Sequence, residues 1–316
     1  MSESINGIHH ITAVCGPARD NYAFYTEELG MRFTKRTVNF DDPFTYHLYY
    51  GNYDATPGSA ITFFPWSNVV QGSPSAGEAT VVSYAVPKGS INYWKERLES
   101  RGHELEGPVD LFGYQTVRLR DIDGMKLELS ADPGVDDITT KGYAGVPDQH
   151  AIRGFFGTTL TLPDIGRTAE LLEEFGWKRD EVNENRTRYR SAPANRLGAV
   201  VDLIVDPELR GRFGKGSVHH VAFRVPDDNA QIEWREKLIT LGLDVSPVRD
   251  RQYFRSIYFR EPGGVLFEFA TDGPGFTVDE SLDELGSSLK LPPWYEEHRP
   301  QIEEKLPELE KQKNKS

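Results

Sequence analysis

Three short stretches carry residue types suited to chemistry. "GIHHITAV" (7–14) and "GSVHHVAFRV" (216–225) each place two histidines at the head of a strand-like run, and "VLFEFA" (265–270) carries Glu268 among apolar residues. Side chains alternate across a strand, so parity assigns faces. His219 falls with Val221, Phe223 and Val225 on an apolar face, which predicts packing against a helix; His220 falls opposite, with Ala222. By the same count His9 lies with Ile11 and Ala13, His10 with Thr12 and Val14, and Phe267 and Phe269 leave Glu268 on the other side. His10, His220 and Glu268 are therefore expected on open faces, with His9 and His219 on packing faces. Two imidazoles and one carboxylate form a facial ligand set that leaves coordination positions free for substrate and dioxygen. Such a set favours non-haem Fe(II), with Mn(II) or Zn(II) as alternative ions.

The elements that must position these residues recur four times. Each pass is strand, helix, then strands: it starts at "GIHHITAV", at "ATVVSYAVP", at "FFGTTLTLPD" and at "SVHHVAFRVPD", and each helix ends near a glycine (Gly30, Gly102, Gly176, Gly242). The fold class predicted is α+β, with four βαβββ modules in tandem forming two pseudo-symmetric halves with curved open sheets. The expected organisation is an N-terminal half at 1–144, a linker at 145–154, a C-terminal half at 155–290 and a charged tail at 291–316 without chemistry of its own.

Aligning the four first strands superposes His10, Val81, Gly157 and His220. Aligning the four last strands superposes Phe63, Glu128, Asp202 and Glu268. Only the fourth module holds both a histidine and an acid. Phe63 then stands where a fourth ligand would complete an isomerase-type site, and Glu128 and Asp202, without histidines in their own modules, read as solvated or structural. The ligands come from modules one and four, so those two should face each other, leaving two and three to form a degenerate partner cleft. "DIDGMKLE" (121–128) is too short for a calcium loop and matches the turn "EPGGVLFE" (261–268). His47, His103, His150 and His298 read as surface or packing histidines.

Bulk properties narrow the partners. The chain has 316 residues, 36 Lys and Arg against 49 Asp and Glu, and a net charge of −13. It makes a poor binder of nucleic acid or anionic membrane. The single cysteine, Cys15, excludes an internal disulfide and reads as apolar filler. The first residues show no signal segment and no apolar run reaches spanning length, so a soluble cytoplasmic protein is expected. A homo-oligomer is compatible with the sequence.

These four modules with strand-borne His and Glu resemble the vicinal oxygen chelate superfamily of glyoxalases and extradiol dioxygenases. "GIHHITAV", "DDPFTYHLYYGNYDATPGSAITFFPW", "GSVHHVAFRV" and "YFRSIYFREPGGVLFEFATDGPGF" resemble its ring-cleaving branch, which opens hydroquinones and catechols. The resemblance runs to about Leu291. It implies a metal triad of His10, His220 and Glu268, in agreement with the parity argument. It also implies supporting roles near the metal for His9, Thr12, His219, Arg251 and Tyr258, with an aromatic diol and O2 as reactants. Two further readings stay open: a glyoxalase-like isomerase or lyase using zinc or nickel, against which Phe63 argues, and a non-catalytic protein that sequesters a small molecule.

Overall fold

The computed structural model describes residues 4–66, 68–193 and 196–309. Module one comprises β1 (Ile8–Cys15), α1 (Ala18–Ala23), β2 (Arg32–Asn39), β3 (Asp42–Gly51) and β4 (Ala60–Pro65). Module two comprises β5 (Glu78–Val86), α2 (Ile91–Ser100), β6 (Glu106–Leu111), β7 (Tyr114–Arg120) and β8 (Lys126–Ala131). Module three comprises β9 (Gly154–Leu162), α3 (Gly166–Glu174), β10 (Lys178–Asn183), β11 (Arg186–Arg190) and β12 (Val200–Val205). Module four comprises β13 (Val218–Val225), α4 (Asp228–Thr240), β14 (Arg249–Asp250), β15 (Phe254–Arg260) and β16 (Leu266–Pro274), and a short α5 (Arg299–Lys305) follows. The four helix-ending glycines all take positive φ (+61°, +88°, +87° and +84°), the conformation in which a helix C-terminus selects glycine. At the other end of α4, Asp227 caps the helix by accepting from the Ala230 amide at 2.9 Å, worth about 1 kcal/mol.

The first helix is not one regular α-helical run. After α1 the chain widens into π-type turns at Phe24–Glu28, with Leu29 N–H donating to the Phe24 carbonyl. The wider turn lets the consecutive rings of Phe24 and Tyr25 both be buried.

Two eight-stranded sheets curl into open half-barrels. One runs β14-β15-β16-β13-β1-β4-β3-β2 and the other β10-β11-β12-β9-β5-β8-β7-β6. Modules one and four thus share one sheet, and modules two and three the other. The segments 1–144 and 155–290 each give one module to each sheet. In the first sheet β1 and β13 pair antiparallel about Ile11↔Val221, so a pseudo-twofold axis relates His10 to His220. Apolar side chains on the faces away from the sites form the core, where Trp94, Trp177 and Trp234 are almost wholly buried. Two of these indoles also satisfy backbone carbonyls: Trp94 Nε1–H donates to His150 at 2.9 Å and Trp177 Nε1–H to Ile5 at 3.1 Å. Cys15 is buried in this core. Among the described residues no helix is long and apolar enough to cross a membrane.

Candidate metal centre

The register of the central strands decides which side chains meet. His10 pairs across β1 with Ala222 on one side and Ala60 on the other, and Glu268 sits beside Ala222 on β16. Small neighbours leave room for the rings, and three side chains converge. His10 Nε2 lies 3.3 Å from His220 Nε2 and 3.4 Å from Glu268 Oε2, and His220 Nε2 lies 2.9 Å from the same oxygen. Ligands at right angles about an ion at about 2.1 Å are separated by roughly 3.0 Å, so the three atoms already have the spacing of one face of a coordination shell. Glu268 is fully buried and its Oε1 accepts from the Ser256 hydroxyl, while Oε2 has no hydrogen-bond partner among the described residues. That orphaned carboxylate oxygen, aimed at two ring nitrogens, fits a cation. Burial alone would raise the Glu268 carboxyl, but the flanking imidazoles outweigh it and hold the group well below the usual carboxylate range.

His9 and His219 are not on the packing faces that parity predicts. Each is the extra residue of a β-bulge: the pairing steps from Ile8↔Phe223 to His10↔Ala222, and from Thr12↔His220 to Ala13↔Val218. A bulge breaks the alternation locally, and both imidazoles of each pair turn to the same side. His9 Nδ1 consequently lies 2.9 Å from His10 Nδ1, and His219 Nδ1 lies 2.8 Å from His220 Nδ1. Such a contact fixes the ring and tautomer of a histidine so that its Nε2 lone pair points at a metal. His219 also lines the cavity in front of the centre.

A second correction concerns Phe63. Thr62, not Phe63, pairs with Thr12 as Glu268 pairs with Ala222, so Thr62 occupies the acid's pseudo-equivalent position. Phe63 points into the core, with its ring centroid 4.7 Å from that of Tyr25. The interval from the first to the last strand is longest in module one, and the equivalent position on β4 falls one residue earlier. A neutral hydroxyl stands in the fourth position, and among the described residues the only carboxylate in the cluster is Glu268.

The cavity has a volume of about 230 Å³, with Phe40, Phe64, Trp66 and Phe254 among its walls. Arg251 and Tyr258 line it too: Arg251 Nε donates to the Tyr258 hydroxyl at 3.2 Å and its Nη2 to Asp41 at 2.9 Å. Thr12 is buried, its hydroxyl 2.7 Å from that of Thr62. His47 is a cavity residue rather than a surface or packing one, with Nε2 at 2.8 Å from the Thr62 hydroxyl and Nδ1 at 2.8 Å from the Tyr49 hydroxyl. Asp41, His47, Tyr49 and Thr62 all escape the sequence reading. The alternation in "YHLYY" places His47 and Tyr49 on one face and is the one local signal among them. The tail from Leu291 packs on the cavity wall. Tyr295 donates to the Phe40 carbonyl at 2.9 Å and Trp294 packs edge-on against Phe40, bracing the β2–β3 turn at the cavity wall. Its last residues, 310–316, lie outside the described residues.

The other sheet carries the same design with its ligands replaced. Val81 and Gly157 take the histidine positions, and a Cβ on Gly157 would lie 2.3 Å from the Val200 carbonyl oxygen. Glu128 and Asp202 keep the acid positions, buried and not solvated, with Arg186 between them at 3.8 and 3.6 Å. Arg188 grips Asp202 through two bonds of 2.8 Å, and Arg118 reaches Glu128 at 3.2 Å. Guanidinium groups supply the positive charge in this sheet.

Burial pushes the imidazoles of His9, His47 and His220 below the ordinary value, and that of His219 down to about 3. Unfolding frees all four to take protons near pH 6.5, so below that pH the unfolded chain binds more protons than the folded one. Stability is then complete above about pH 6.5 and falls on acidification, by up to about 1.4 kcal/mol per pH unit for each imidazole. Glu268 adds to the loss only at lower pH still. Urea midpoints of metal-free protein at neutral and mildly acidic pH check this, and a midpoint that rises on acidification contradicts it.

Comparison with known proteins identifies relatives of this chain. The family model described as glyoxalase/bleomycin resistance protein/dioxygenase superfamily matches residues 7–129 and 154–269. A Bacillus subtilis protein provisionally named ring-cleaving dioxygenase MhqO is 45% identical over 307 residues, covering 97% of each chain. The chlorohydroquinone/hydroquinone 1,2-dioxygenase of Sphingobium indicum is 34% identical over 307 residues, covering 94% of each. A crystal structure from Bacillus subtilis, provisionally described as a dioxygenase, superposes with a TM-score of 0.93 at 44% identity, covering 98% of each chain. The chain belongs to the glyoxalase/bleomycin resistance protein/dioxygenase superfamily.

Proposed function

We propose that this protein is an iron(II)-dependent ring-cleaving dioxygenase that opens hydroquinone-type aromatics, with catechols as a second substrate class. The observation that carries the reading is the three-ligand face of His10, His220 and Glu268 opening onto an aromatic-walled cavity. The names of the two relatives above support the reaction class and the para-diol. A cavity of roughly 150 Å³ holds a benzene ring, so about 230 Å³ suits one ring with its substituents. An iron(II) ion held by these ligands would supply Lewis acidity toward a ring oxygen and a path for electrons from the aromatic diol, which is the reductant, to dioxygen.

The chain's own residues do the rest. His9 and His219 fix the ligand imidazoles, and Ser256 fixes the carboxylate. Thr12 braces the strand beside them through Thr62. Arg251 brings a fixed positive charge toward an oxygen that becomes anionic, and Tyr258, held by Arg251, orients it. Phe64 and Trp66, stacked at 6.0 Å, exclude water from one wall. Oxygen uptake by anaerobically reconstituted iron(II) protein tests the proposal: hydroquinone is expected to give stoichiometric consumption with loss of ring absorbance. No uptake with any dihydroxybenzene at full iron occupancy would refute it.

A further inference from the structure

The pseudo-twofold axis through Ile11 and Val221 relates the walls of the cavity as well as the ligands. Tyr258 pairs with Glu268 on β15 and β16, and Tyr49 pairs with Thr62 on β3 and β4 in the same register. Tyr49 is therefore the pseudo-symmetry mate of Tyr258. Both phenols line the cavity, one on each flank of the ligand set. Their partners differ in charge. Tyr258 is held by a cation, Arg251, at 3.2 Å. Tyr49 is held by His47 at 2.8 Å, at the head of a hydrogen-bonded chain that runs through Thr62 to Thr12 in steps of 2.8 and 2.7 Å.

We propose that Tyr49 is the hydrogen-bonding anchor for the second hydroxyl of a para-diol, with His47 as the residue that positions it. This rests on the ring-cleaving reading above. An ortho-diol brings both oxygens to one ion and needs no further polar partner. A para-diol leaves its second oxygen across the ring, away from the ligands, and in an apolar-walled cavity an unpaired hydroxyl is costly. The cationic flank at Arg251 suits the oxygen that loses its proton at the ion. The flank at Tyr49 suits a hydroxyl that keeps its proton: the phenol oxygen accepts from it while the phenol hydrogen goes to His47. Nδ1 then acts as acceptor, Nε2–H donates to Thr62, and Thr62 donates to Thr12. Every hydroxyl and ring nitrogen of the chain as far as the Thr62 hydroxyl is used, so the acceptor at Tyr49 is held in one orientation.

The test is anaerobic calorimetric titration of iron(II)-loaded wild-type, Tyr49→Phe and His47→Asn proteins with hydroquinone, catechol and phenol. Tyr49→Phe keeps the ring and removes the hydroxyl. It is expected to weaken hydroquinone binding by about three- to tenfold, the range of one hydrogen bond, and to leave catechol and phenol unchanged. His47→Asn, which frees the phenol to turn, is expected to give the same selective loss. An equal loss for all three ligands, as a merely structural role would give, overturns the proposal, and so does an unchanged affinity for hydroquinone. If wild-type protein binds none of the three, the dioxygenase reading falls and this one with it; if it binds hydroquinone but Tyr49→Phe does not discriminate, only this one falls.

Discussion

Glu268→Gln is expected to leave a folded protein that loses its metal on dialysis and takes up no oxygen. The carboxylate is the one anionic ligand of the three, wholly buried, and its Oε2 has no other hydrogen-bond partner among the described residues. A neutral amide in the same place keeps the volume but removes the charge that balances a divalent ion in a low-dielectric site. Changes in residues that merely support ligands cost about 10- to 100-fold in metal affinity or activity, and loss of the ligand itself should exceed that range. His10→Ala and His220→Ala should fall at least as far, since the two rings meet at 3.3 Å from opposite modules. Metal content after dialysis and oxygen uptake on the same samples give the readout. A Glu268→Gln protein that retains stoichiometric iron and full turnover would remove these three residues from the centre.

Arg188→Met is expected to act on stability and to leave the metal site, in the other sheet, intact. Arg188 is 1% exposed, forms a two-bond pair with Asp202, and stacks over Phe112 and Phe156 at 4.3 and 5.2 Å. Removing it strands a buried carboxylate whose other cation, Arg186, stands 3.6 Å away without a hydrogen bond. The expected cost is about 3–5 kcal/mol, the range for breaking one partner out of a buried ion pair. The double variant Arg188→Met/Asp202→Leu removes both charges and should recover most of that loss. Denaturant midpoints of the three proteins measure it; a single-variant cost below about 1 kcal/mol would mean the pair behaves as an exposed one.

The parts of the site that follow from period and repeat are legible in the sequence. His10, His220 and Glu268 emerge from strand alternation combined with fourfold repetition, and modules one and four do share a sheet. What escapes is set by features with no local period. A bulge adds one residue to a strand, so "HH" read as strict alternation sends His9 and His219 to the wrong face. The position of Thr62 depends on the interval from the first to the last strand, which is longest in module one. Asp41 meets Arg251 across 210 positions, a contact that no window of sequence contains. The ion pairs of Glu128 and Asp202 depend on arginines from β7 and β11, each the sheet neighbour of the acid's own strand but unremarkable in composition.

The strand pairing that joins His10 to His220 also imposes an order on the protein's assembly. The sheet of modules two and three can close once β12 has left the ribosome, whereas β1 must wait for β13, some 210 residues later. At translation rates of about 5–20 residues per second that is a delay of roughly 10–40 s. Throughout it the first module holds an apolar strand edge without its neighbour. The three candidate ligands His10, His220 and Glu268 can meet only after this wait, so the centre they form is completed last, on a scaffold whose other half is already built.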